Sequence, residues 1–155
     1  MDHQAIAQLL GNYGEFIGAL AVVATLAYVA IQLKQSTNVA RATVRQSITD
    51  SVTSMATSVM DHDDLARIVQ KGFDGEALEP HELRRFEARC YVALRRWENI
   101  YFQYCDGLVF DDEWESYREN LRLMFLNRLY QEYWVESRQM FARKFQEQVV
   151  QILPP

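Results

Sequence analysis

Apolar and polar positions fall into two regimes along this chain. From Phe16 to Leu33 (FIGALAVVATLAYVAIQL) eighteen consecutive residues carry no charge. As a helix they span roughly 27 Å at about 1.5 Å per residue, close to the ~30 Å hydrocarbon core of a bilayer. After Lys34 apolar residues recur instead at steps of three and four, the pattern of helices with one buried face.

Within the second regime, Val44, Ile48, Val52, Met55 and Val59 share a face of Ser36 to Met60. No Gly or Pro lies between Gly18 and Gly72, so the apolar helix is expected to continue through this stretch. Asp61 to Asp64 supply an N-cap and acidic first turn for a helix carrying Leu65, Ile68 and Val69, with Gly72 ending it. Pro80 and Glu82 open the next helix, whose Phe86, Cys90, Leu94, Trp97, Tyr101 and Tyr104 lie on one face before Gly107 breaks it. Arg84, Arg85, Arg89, Arg95 and Arg96 form its basic side, which reads as solvation bridged by Glu82, Glu87 and Glu98 rather than as a patch for anionic headgroups. Asp111, Asp112 and Glu113 begin a further helix, with Trp114, Tyr117, Leu121, Met124 and Phe125 facing inward. A break near Ser137 precedes the last helix, which buries Phe141, Phe145, Val149 and Ile152 and stops at Pro154 and Pro155.

The predicted fold is all-α: one N-terminal transmembrane helix continuing into a long cytoplasmic helix, followed by a small helical bundle. Its segments are 1–14 as a short outer or interfacial stretch, 15–34 as the transmembrane helix, 35–60 as the cytoplasmic extension of the long helix, and 61–155 as the cytoplasmic helical domain. Two other readings of Phe16 to Leu33 compete. A core helix of a soluble protein needs a second segment apolar enough to cover it on every face, and this sequence has none. A signal peptide needs a basic leader, a shorter apolar core and a small-x-small cleavage site, which the N-terminal stretch does not supply.

Tyr13, Phe16 and Tyr28 suit the interfaces, and Ile6, Leu9, Leu10 and Tyr13 have the spacing of a helix lying in one. Lys34, Arg41 and Arg45 follow the apolar stretch and no basic residue precedes it. The positive-inside rule then places the N-terminus outside and the C-terminal bulk in the cytoplasm of a bacterial inner membrane.

A seam of small and polar residues crosses the apolar stretch. Gly11, Gly14, Gly18, Ala21, Thr25, Tyr28, Gln32 and Gln35 recur at alternating steps of three and four and share one face, with Gly14 and Gly18 forming a GxxxG pair. In lipid, helices associate through close backbone approach at small residues and hydrogen bonds between polar ones. The chain offers one such segment, so the simplest partner is another copy of itself. Thr25, Gln32 and Gln35 would line a narrow pore in a ring, with Glu15 as a carboxylate at its mouth. The plainer reading is that Glu15 caps or solvates the outer helix end while the glutamines bond across the interface.

Charge changes this picture little. All sixteen Lys and Arg and nineteen of the twenty-one acids follow Leu33, leaving that part at −3. No nucleic-acid partner is expected from so mild an acidity. Cys90 and Cys105 fall in one predicted helix about 22 Å apart, too far to pair within a chain, and read as small packed residues in a reducing compartment. Asp61, His62, Asp63 and Asp64 are the most metal-like cluster, although consecutive residues on a regular element point in different directions, which favours the capping role. The sequence contains no phosphate-cradling glycine loop, CxxC pair, HExxH helix or nucleophile elbow, so neither an enzyme nor a cofactor is expected. The aromatic residues read as core packing rather than a cofactor box.

Two stretches carry a resemblance: GEFIGALAVVATLAYVAIQLKQST, residues 14–37, and RRWENIYFQYCDGL, residues 95–108, followed by Trp114. They resemble a family of uncharacterised bacterial single-pass membrane proteins, over most of the chain as far as Leu126. No activity is assigned to that family, so the resemblance implies architecture and no chemistry. The expected function is a homo-oligomeric, membrane-anchored helical scaffold or interaction module whose partners are membrane lipids and its own copies. The alternatives are an oligomeric channel lined by the seam, and a membrane sensor responding to divalent ions at Asp61 to Asp64.

Overall fold

In the computed structural model, which describes residues 3–153 and the side-chain surroundings of 12–153, every regular element among the described residues is helical. The first helix, α1, runs unbroken from His3 to Met60. Its continuity follows from the lack of Gly or Pro after Gly18. It ends where the backbone at His62 turns extended, with φ −130°. One part of α1, near the N-terminus, is long and apolar enough to cross a membrane, and none of that window is buried within the chain.

The chain divides into two compact units between Ala40 and Arg41. Among the described residues the first is helix alone. The second combines residues 41–60 of α1 with α2 (Asp63–Asp74), α3 (Pro80–Cys105), α4 (Asp111–Met124), α5 (Arg128–Ser137), a 3₁₀ turn (Arg138–Met140) and α6 (Arg143–Ile152).

The second unit is organised around α3. At its start Pro80 occupies the first turn and Glu82 reaches back to accept from the Glu79 amide at 3.0 Å, which satisfies one of the orphan amides there. Phe86, Cys90, Leu94 and Trp97 follow at helical spacing and are buried, and Tyr101 and Tyr104 pack against the same core. Gly107, at φ +71°, turns the chain where a β-carbon would be strained. From the other helices come Trp114, Leu121 and Phe125, then Tyr130 and Trp134, then Phe145, Val149 and Ile152.

Rings dominate this core. Trp134 meets Phe125, Phe141 and Phe145 with centroids 6.0, 5.4 and 6.0 Å away, and Tyr104 stacks on Trp114 at 5.1 Å. Such pairs add about 0.5–1.5 kcal/mol each beyond the area they bury.

Several expectations need correction. Gly72 does not end α2 but sits inside it, buried, because Phe86 of α3 lies against it; a β-carbon there would fall 2.3 Å from the Phe86 ring. The helix ends instead at Gly75, whose φ of +75° closes it in the left-handed conformation. The stretch after Asp111 is two helices, broken at Asn127, whose side chain accepts from the Leu129 amide and donates to the Gly72 carbonyl. On residues 41–60 of α1, Ile48 is buried and Val44 and Met55 are partly so, whereas Val52 is exposed. Cys90 is buried as expected, but Cys105 is exposed.

Candidate functional site

Two surfaces have properties beyond packing, one in each unit. The first is the seam on α1. A β-carbon built on Gly14 or Gly18 would meet nothing within 4 Å, so this face is open to a neighbour's backbone. Ala21, Thr25, Tyr28, Gln32 and Gln35 are exposed along the same helix, while Gly11 lies in α1 but outside the residues whose surroundings are described. Thr25 donates to the Ala21 carbonyl at 2.8 Å and Gln32 donates to the Tyr28 hydroxyl at 2.7 Å. These polar groups therefore have partners inside the helix, which lowers the cost of placing them among apolar surroundings. Glu15 is exposed too, and because α1 begins at His3 it lies well inside the helix and caps nothing.

Asp61 to Asp64 do not converge. His62 Nδ1 lies 3.0 Å from the Ser58 carbonyl, and Asp64 turns to Arg85 of α3. The Arg85 hydrogen bond, helped by the Leu65 amide, holds the Asp64 carboxyl below its ordinary range. Among the described residues no group of three or more His, Cys, Asp or Glu is placed to hold a metal ion.

The second surface is the arginine side of α3, which is less solvated than its sequence suggests. Glu98 is buried, accepting from Arg95 at 2.6 Å and from the Ala142 amide at 2.6 Å, while Arg95 also donates to the Met140 carbonyl at 2.7 Å. This pair fastens the turn before α6 to α3. Arg96 lies over the Trp97 ring, 4.8 Å from its centroid, and burial holds its guanidinium below the usual range. The Nε atoms of Arg89 and Arg96 are both buried without a hydrogen-bond partner. Burial also pushes the Cys90 thiol and the Tyr130 phenol up to about 12. Such a thiol stays protonated and inert at neutral pH.

Sequence reasoning counted Arg41 and Arg45 only as topological charges. Both are also latches within the second unit. Arg41 donates to the Gly107 carbonyl at 3.2 and 3.1 Å and lies 4.4 Å from the Phe110 ring centroid, and Arg45 pairs with Glu113 at 2.9 Å. Their spacing of four on one helical face was the available signal.

Fold and surfaces together define an all-helical protein with, among the described residues, one helix long and apolar enough to cross a membrane. No family model, curated protein or solved structure matches it.

Proposed function

We propose that this chain is a homo-oligomeric single-pass protein of a bacterial inner membrane, acting as a membrane-anchored helical scaffold or interaction module. The observation that carries the reading is an apolar stretch with no cover from its own chain and a stripe of small residues open to a neighbour. A helix that is apolar all round gains by burial in lipid, and once there, gains further by close contact at glycine. In this reading the N-terminus lies outside and residues 35–155 lie in the cytoplasm, which the position of Lys34, Arg41 and Arg45 after the apolar stretch supports.

Disulfide scanning in native membranes tests the seam. In a background with both native cysteines replaced, Gly18→Cys, Ala21→Cys and Thr25→Cys should cross-link two copies, while Leu20→Cys, Val23→Cys and Ala27→Cys on the opposite face should not. Equal cross-linking on both faces, or none on either, removes the assignment. Orientation has its own readout in the exposed thiol of Cys105. A membrane-impermeant maleimide should reach it only after the cells are opened, and labelling in intact cells would reverse the topology.

A further inference from the structure

The last turns of α1, the start of α2 and the middle of α3 enclose an open cavity of about 310 Å³, entirely within the second unit. Its walls include Met55, Val59, Leu65, Ala88 and Val92, and its charged groups are Arg85 and Arg89. Arg85 is already paired with Asp64. Arg89 reaches the Tyr130 hydroxyl, yet its Nε is buried without a partner, and among the described residues no carboxylate lies within ion-pair distance of it. Arg96, two turns further along α3, is in the same condition. A half-buried guanidinium without a counter-ion is unfavourable, and an anion that arrives with an apolar tail would satisfy both the charge and the walls.

We infer that this groove binds a single-chain carboxylate amphiphile, a free medium-chain fatty acid, with its head at Arg89 and its chain along Met55, Val59, Leu65 and Val92. The volume sets the class. Ligand pockets run from about 300 to 1,000 Å³, so a space at the lower limit takes one short chain and not the two chains of a phospholipid. The charge sets the head group. The uncompensated charge of Arg89 suits an anionic head such as a carboxylate and would gain nothing comparable from a neutral alcohol. This inference concerns the second unit alone and does not depend on oligomerisation.

The test is photo-labelling of the full-length protein in nanodiscs of neutral phosphatidylcholine, using decanoate that carries a diazirine, followed by peptide mapping. Label is expected on the peptides that hold Met55 to Leu65 and Ala88 to Val92. Excess unlabelled decanoate should reduce it at least tenfold, whereas decanol should not. Ala88→Trp, at an exposed wall position, fills the groove and should abolish the label without unfolding the bundle, and Arg89→Gln should weaken it by a similar factor. A circular-dichroism melt of each variant separates loss of binding from loss of fold. Label confined to Phe16–Leu33, or unchanged by Ala88→Trp, would mean simple partition into lipid and overturn the site. Displacement by phosphatidylglycerol in the nanodisc as efficient as by decanoate would overturn the single-chain assignment.

Discussion

Leu and Phe face opposite surroundings in the two units of this chain. Phe16 and Leu33 on α1 are 66% and 64% exposed, whereas Phe145 and Leu121 of the second unit are fully buried. Composition alone does not distinguish these residues; arrangement does. In residues 41–155 each helix turns one largely apolar face inward, and neighbouring helices of the same chain cover it, although Met60, Val135 and Val150 stay exposed. Along Phe16 to Leu33 apolar residues are exposed and, among the described residues, nothing covers them. The second unit thus forms its core from its own sequence, and the first leaves its apolar residues uncovered.

The largest effects should appear where the second unit is completed from within. Phe145→Ala removes a fully buried ring that contacts Tyr101, Trp134 and Phe141, and should cost about 3–5 kcal/mol in denaturant unfolding of the full-length protein. Phe16→Ala, by the same measurement, should leave the bundle's transition unmoved. If both variants shifted it equally, the contrast between the units would fail.

Glycines sharpen the comparison. Gly72→Ala drives a β-carbon into the Phe86 ring, which is buried and cannot swing aside, so overpacking of about 1–3 kcal/mol exceeds the ~1 kcal/mol that alanine gains in a helix. Gly14→Ala and Gly18→Ala meet open space and should not change the thermal midpoint of the bundle. Between these extremes, Asn127→Ala removes the α5 cap and the bond to the Gly72 carbonyl, and should cost about 0.5–2 kcal/mol.

The pH response should be smaller and two-sided. Asp64, Glu82 and Glu119 are held below their ordinary values by Arg85, Lys71 and Arg122. A depressed folded pKa gives stability that is present above the ordinary values of 3.8 and 4.5 and is lost as pH falls through the folded ones. Asp64 and Glu119 are exposed and Glu82 is partly buried against Lys71, so the acid limb should be shallow and owe most to Glu82. Cys90 and Tyr130 are raised from 9.0 and 10.0 to about 12, so the stability they confer is complete below pH 9 and lost as pH climbs toward 12. A denaturation midpoint that stayed flat between pH 9 and 12 would contradict that placement, and Cys90→Ala should flatten part of the slope. At neutral pH iodoacetamide should modify Cys105 and leave Cys90 untouched in the folded protein.

Much of the fold was legible because periodicity and termini act locally. The inward residues of α3, α4 and α6 follow from steps of three and four, and the starts at Pro80 and Asp111 follow from first-turn chemistry. What escaped was set by neighbours distant in sequence. Gly72 reads as a helix stop unless Phe86 is known to lie against it, and Asn127 reads as an interior polar residue unless the Gly72 carbonyl is near. Glu98 looked like a solvated partner of arginine because its bond to the Ala142 amide spans forty-four residues. The alignment of Gly14, Gly18, Ala21 and Thr25 on one face of α1 depends only on spacing along one helix, so it is read directly from sequence. The groove beside Arg89 was not, since three helices must meet to make it.

The central claim is that α1 brings copies of this chain together through its open small-residue face. Native mass spectrometry of the full-length protein released from detergent micelles tests it most directly, run beside a variant carrying both Gly14→Leu and Gly18→Leu. We predict a single defined oligomer for the natural sequence and its collapse to monomer in the variant. A monomer from the natural sequence, or an oligomer indifferent to both leucines, would contradict the account.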